Sequence, residues 1–106
     1  MTIIIAVKYK LNPGKRDELL SFVADNVRNT KKEVGNLEYS HYPSLEHEDE
    51  MFVYEMWENL ESVRRHINAS HYVEFSKKRR PILASYESRI YEAQFHSQRN
   101  TAPLPE

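Results

Sequence analysis

The sequence contains no cysteine, only two glycines (Gly14 and Gly35) and a single tryptophan, Trp57. The absence of thiols rules out disulfides, zinc-thiolate sites, iron-sulfur clusters and cysteine nucleophiles together, and it fits a reducing compartment. Two isolated glycines cannot build a phosphate-cradling loop, and no serine sits in a nucleophile-elbow pattern. Neither sign of charge dominates. Fifteen basic residues against sixteen acidic ones leave a net charge of −1, which provides no field to attract a phosphate backbone. The one basic run, Lys77-Lys78-Arg79-Arg80, reads as a solvated helix end whose cations suit the C-terminal dipole. Long hydrophobic runs are missing too: nothing approaches the roughly 18 apolar residues of a membrane span. The opening MTIIIAVKYK has too short an apolar stretch, and no small-residue cleavage site, for a signal peptide. A cytoplasmic protein without a nucleic-acid or membrane partner is therefore expected.

What remains is a globular composition, 40% hydrophobic and 29% charged over 106 residues, enough for one domain with a small core. Residues 2–10 are β-branched and aromatic and stop at Asn12-Pro13-Gly14, where Asn12 is placed to cap a helix. Leu19, Phe22, Val23, Val27, Thr30 and Val34 then recur at spacings of three and four, predicting a helix over 13–34 that Gly35 ends. Alternation in 36–44 and 50–58 predicts a hairpin with a long loop. Asn59 and Ser70 each precede a short periodic stretch, predicting helices near 60–67 and 71–80. A last strand is expected near 85–95, closing the domain at residue 95 and leaving a tail, 96–106, that carries Pro103 and Pro105.

The order β-α-β-β-α-β is that of the ferredoxin-like split βαβ fold, an α+β architecture with its helices on one face of an antiparallel sheet. The first and third strands are nevertheless apolar on both parities. Phe52, Tyr54 and Met56 lie on the parity opposite Glu55 and Trp57, so the bare face needs a cover. A second copy packed sheet to sheet, with roughly 1,500 Å² or more buried, is the expected solution.

Alternation places Glu55 among the apolar residues Val53 and Trp57 on one face of its strand. A carboxylate there must find a donor or take up a proton, so it is a candidate general base and equally a structural group, with Arg64 and Arg65 as expected partners. His66 ends one short helix and His71 begins the next, and neutral imidazoles suit proton transfer near pH 7. Two histidines and Glu55 could also compose a metal face. Histidines five apart on one continuous helix would point about 140° apart, so only the break at residues 68–70 could make them converge, and no metal is expected.

Tyr54-Glu55, Trp57-Glu58, His66 and Ser70-His71, together with Asn12-Pro13-Gly14-Lys15 and Gly35-Asn36-Leu37-Glu38-Tyr39, give the chain its likeness to a known family. From residue 2 to about 95 it resembles the antibiotic biosynthesis monooxygenase domain family, within it the group similar to quinol monooxygenases and to enzymes that process autoinducer-2. The resemblance implies a homodimeric α+β barrel with a pocket between sheet and helices, and oxidation of a phenolic or quinol substrate by O₂ without flavin, haem or metal. It assigns proton transfer to Glu55, His66 and His71, pocket walls to Trp57 and Tyr72, and further substrate contacts to Tyr39, His41 and Val7. The haem-degrading branch carries an asparagine on the first strand and a histidine ligand on the last helix. Val7 and Ser76 stand there instead, so the iron ligand is missing. Two alternatives remain open: isomerisation or breakdown of a small sugar-derived signal, and a non-catalytic ligand-binding dimer.

Overall fold

A computed structural model describes residues 1–101. Strand β1 (Thr2–Leu11) is followed by helix α1 (Arg16–Thr30), the hairpin of β2 (Asn36–Pro43) and β3 (Glu50–Trp57), helices α2 (Leu60–Ile67) and α3 (Ser70–Arg79), a single 3₁₀ turn and strand β4 (Leu83–Ala93). All neighbouring strands are antiparallel and lie in the order β2-β3-β1-β4. This is the α+β, ferredoxin-like arrangement that the element order predicts.

The period of two in β1 and β3 sorts their side chains between two faces. Ile3, Ile5, Val7, Tyr9 and Leu11 are buried, as are Met51, Val53, Glu55 and Trp57. Leu19, Val23, Phe75 and Ile82 belong to the same core. Helix α1 contributes Leu19, Val23, Asn26 and Thr30 at spacings of four, three and four, one continuous stripe. On the opposite parity of the sheet Ile4 pairs with Met56 and Tyr91, Ala6 with Tyr54 and Arg89, and Lys8 with Phe52 and Glu87. Phe52 and Tyr91 stay 40% and 49% exposed there, so the face is apolar in part and carries no helix.

Several local expectations are corrected. Helix α1 is shorter than 13–34. A turn with positive φ at Gly14 separates it from Asn12, whose side chain donates to the Pro81 carbonyl instead of capping. At the other end α1 stops at Thr30, and successive turns bond Glu33 to Thr30 and Asn36 to Glu33, which leaves Val34 77% exposed. Gly35 does hold a positive φ, but as the last residue before β2. A Cβ there would meet the hydroxyl of Ser62 at 2.0 Å, so the glycine is required by both backbone and space. Leu37 is exposed because the β2 register shifts between Asn36 and Glu38. The Asn59 cap forms as expected, its side chain accepting from the Ser62 amide at 2.9 Å, whereas the residue capping α3 is Ala69 rather than Ser70. Residues 94–101 have no regular structure, and the part of the tail with Pro103 and Pro105 lies outside the described residues. Among the described residues no helix is long and apolar enough to cross a membrane.

Candidate functional site

The break between α2 and α3 turns the two histidines toward one point, and the group they meet is Glu33. His66 Nδ1 lies 2.6 Å and His71 Nε2 2.9 Å from the same carboxylate oxygen, Glu33 Oε2. Burial holds the His66 imidazole below its ordinary pKa, an effect that its hydrogen bond to Glu33 opposes. Nδ1 faces the Glu33 carboxylate and donates to it, and Nε2 is the ring's other nitrogen. That nitrogen is buried with no partner among the described residues. The ring packs at a tilt against Trp57 and Tyr72, with centroids 4.9 Å and 4.6 Å away. His71 and Glu33 are partly exposed, and His71 lines a cleft of about 190 Å³ between α1 and α3 together with Phe22, Asn26 and Phe75.

Glu55 is buried below this pair and accepts from the Trp57 indole Nε1 at 3.0 Å. Desolvation pushes its carboxyl up to about 7, against the lowering pull of the Trp57 bond and of Arg79. The expected partners do not reach it: Arg64 and Arg65 both pair with Glu61 on the outer side of α2, since their positions on the helix face solvent. Arg79 is itself a correction. Read as part of a solvated basic run, it is buried and packs its guanidinium on the rings of Tyr9, Phe75 and Tyr86 at 4.8–5.1 Å, while Lys77, Lys78 and Arg80 are exposed.

Beside Glu55 on the sheet, Tyr39 and His41 belong to a hydrogen-bonded chain. The Tyr39 hydroxyl accepts from Asn26 Nδ2 at 2.9 Å and lies 3.0 Å from His41 Nε2. The Tyr9 hydroxyl lies 2.9 Å from His41 Nδ1, and Thr30 donates to Asn26 Oδ1. Burial presses His41 down to about 3, so the ring is neutral, with one nitrogen donating and the other accepting. Burial raises Tyr39 well above its ordinary value.

The structure thus gathers Glu55, Trp57, His66, His71, Tyr72, Tyr39 and His41 beneath and between the helices. Val7 lies apart, buried mid-sheet between Val53 and Ser88. Besides Arg79, sequence reasoning missed Glu33 and Asn26. Asn26 follows the α1 stripe and could have been found by spacing; Glu33 gives no such signal. The metal-type trio therefore has Glu33, not Glu55, as its acid, while Glu55 is bonded to the Trp57 indole.

The family model for antibiotic biosynthesis monooxygenases matches residues 2–78. An uncharacterized protein of Synechocystis is 25% identical over 91 residues, covering 85% of this chain but only 62% of the relative's own length. YcnE of Bacillus subtilis, whose name offers it as a monooxygenase, is 25% identical over 83 residues, covering 78% of this chain and 87% of that protein. A Nitrosomonas europaea structure, named as a candidate antibiotic biosynthesis monooxygenase, superposes with a TM-score of 0.85 at 16% identity, over 89% of this chain and 91% of its own. At that identity the likeness speaks for the fold alone.

Proposed function

We propose, from the premise that this chain belongs to the antibiotic biosynthesis monooxygenase family, that it is a cofactor-independent monooxygenase oxidising a small phenolic or quinol substrate with O₂. The observation that carries this reading is the Glu33-bridged histidine pair with its outer member in the α1–α3 cleft. With Nε2 of His71 committed to Glu33, Nδ1 is the nitrogen left to accept a proton, and the carboxylate fixes the ring's tautomer and orientation. A cleft of about 190 Å³ is below the roughly 300–1,000 Å³ of sites for drug-sized ligands and suits a single aromatic ring.

In this reading His71 takes the phenolic proton and the electron-rich phenolate reduces O₂. One oxygen atom forms a bond to ring carbon and the other leaves as water, giving a quinone. Phe22 and Phe75 supply the apolar wall that shields the anion. Glu55 lies outside the cleft lining, so it and His66 act as positioning groups behind Glu33 and Trp57. Tyr72, Tyr39 and His41 form the packed floor.

The uncovered sheet face is taken up by a second copy. Ile4, Ala6, Phe52, Tyr54, Met56 and Tyr91 form its apolar part, and a homodimer of this kind encloses both sheets.

Trp57 is fully buried and Glu55 nearly so, which favours as second reading a non-catalytic dimer that only binds its ligand. Oxygen uptake with a panel of hydroquinones separates the two. Uptake above autoxidation for the wild type, lost in His71→Ala, supports the oxygenase; equal rates with and without protein support the binding protein.

A further inference from the structure

We propose that Glu33, His66 and His71 form a binding site for one divalent transition-metal ion of the zinc, cobalt or nickel type, distinct in purpose from the oxidation and inhibitory to it. The site stands independently of the proposed reaction; only its inhibitory effect rests on that reading.

Three elements of the fold bring the ligands together: the turn after α1, the end of α2 and the start of α3. Their donor atoms all lie within 4.8 Å of one another. Metal–nitrogen and metal–oxygen bonds near 2.0–2.2 Å place neighbouring donors roughly 2.9–3.4 Å apart, depending on whether the angles are octahedral or tetrahedral. The His71 to Glu33 separation of 2.9 Å already falls in that range. The His66 to Glu33 separation of 2.6 Å must widen by less than about 1 Å to reach it. Glu33 can supply that movement because it sits in a turn outside the helix, while the two histidine nitrogens, within 4.8 Å of each other, must close to the same range by side-chain rotation.

The ligand chemistry selects the ion. Two imidazoles and one carboxylate suit borderline transition metals, whereas magnesium and calcium prefer all-oxygen shells. His66 is the inner ligand, 3% exposed at its side chain, and the edge carrying Glu33 and His71, at 14% and 21%, opens outward to leave positions for water. The supporting shell is incomplete. Metal-bound histidines normally give their second nitrogen to a partner, and His66 Nε2 has none among the described residues. A missing partner of that kind weakens binding by about 10–100-fold, so the dissociation constant should be micromolar, not nanomolar. A bound ion would replace the hydrogen bond that orients His71 and so disable the base.

The test uses the full chain stripped with chelator and titrated with Co²⁺, whose visible absorption reports its ligand geometry, followed by competition with Zn²⁺. One ion per chain at micromolar concentration is expected, with His71→Gln and Glu33→Gln each weakening binding at least about tenfold and His47→Gln, in the exposed β2–β3 loop, leaving it unchanged. No saturable binding up to millimolar ion, or equal binding by all three variants, would overturn the site. Should Glu33→Gln unfold, the wild type decides by NMR. Paramagnetic shifts of the His66 and His71 ring protons support the site, and shifts confined to His47 or His96 overturn it. None of these readouts needs turnover, so failure of the site and failure of the oxygenase reading are distinguishable.

Discussion

Replacing Glu55 by glutamine should change how stability depends on pH, and the size of the change follows from the geometry. Glu55 is 7% exposed, and its one hydrogen bond comes from the Trp57 indole. Its carboxyl is pushed from 4.5 up to about 7, chiefly by burial. The unfolded chain loses this proton near 4.5 and the folded chain near 7. Between those values the folded state binds more protons, so stability falls as pH rises. The full cost, present above about pH 7, is on the order of 3 kcal/mol. Glutamine keeps an acceptor for Trp57 and has no proton to lose. Its amide lacks an assured partner, which subtracts about 1–2 kcal/mol at every pH. His41 and His66, both held below their ordinary range by burial, act with the opposite sign. They lose stability as pH falls below about 6.5, and they largely cancel in a comparison of the two proteins. Urea unfolding of both proteins from about pH 5 to about pH 8 should therefore show the variant gaining about 2–3 kcal/mol on the wild type across that range. A difference that stays flat, or that runs the other way, would refute the assignment of Glu55 as a desolvated acid.

Gly35→Ala combines a positive φ with a Cβ driven into Ser62, and a loss of roughly 2–4 kcal/mol is expected in denaturant melts; a loss below about 0.5 kcal/mol would mean that α2 can shift freely. Tyr39→Phe removes the hydroxyl shared by Asn26 and His41 and should cost about 1–3 kcal/mol while the backbone circular dichroism stays unchanged. Tyr54→Asp with Met56→Asp places two charges on the uncovered sheet face. Sedimentation should find the wild type dimeric and the double variant monomeric or insoluble, and a monomeric wild type at micromolar concentration would end the homodimer proposal.

The fold was legible because period carried it. Alternation in β3 put Glu55 and Trp57 together on one face, the family resemblance made that the covered face, and Asn59 announced α2 by its cap. The ends of α1 were not legible, since Val34 continued the helical spacing while the turn beginning at Lys31 had no proline or other breaker to announce it. That turn is also what carries Glu33 back to the histidines. Glu33 lies in Lys31-Lys32-Glu33, where one more charge in a polar stretch says nothing about tertiary contact. His66 and His71 were recognised as candidates, but their convergence depended on the rotation at Asn68-Ala69, which spacing alone cannot supply. Arg79 was hidden by its neighbours: Lys77, Lys78 and Arg80 are solvated, and only the fold reveals that the fourth cation meets Tyr9, Phe75 and Tyr86. Asn26 fell on the buried stripe of α1, where its polarity concealed it although its position did not.

The most direct test of the oxygenase reading is the fate of oxygen in chelator-stripped protein given a hydroquinone under isotope-labelled O₂. One labelled oxygen atom is expected in each quinone product, the second in water, with no requirement for added metal and with loss of labelled product in Glu33→Gln and His71→Ala. Product without label, or label that is incorporated only after metal is restored, would contradict that reading.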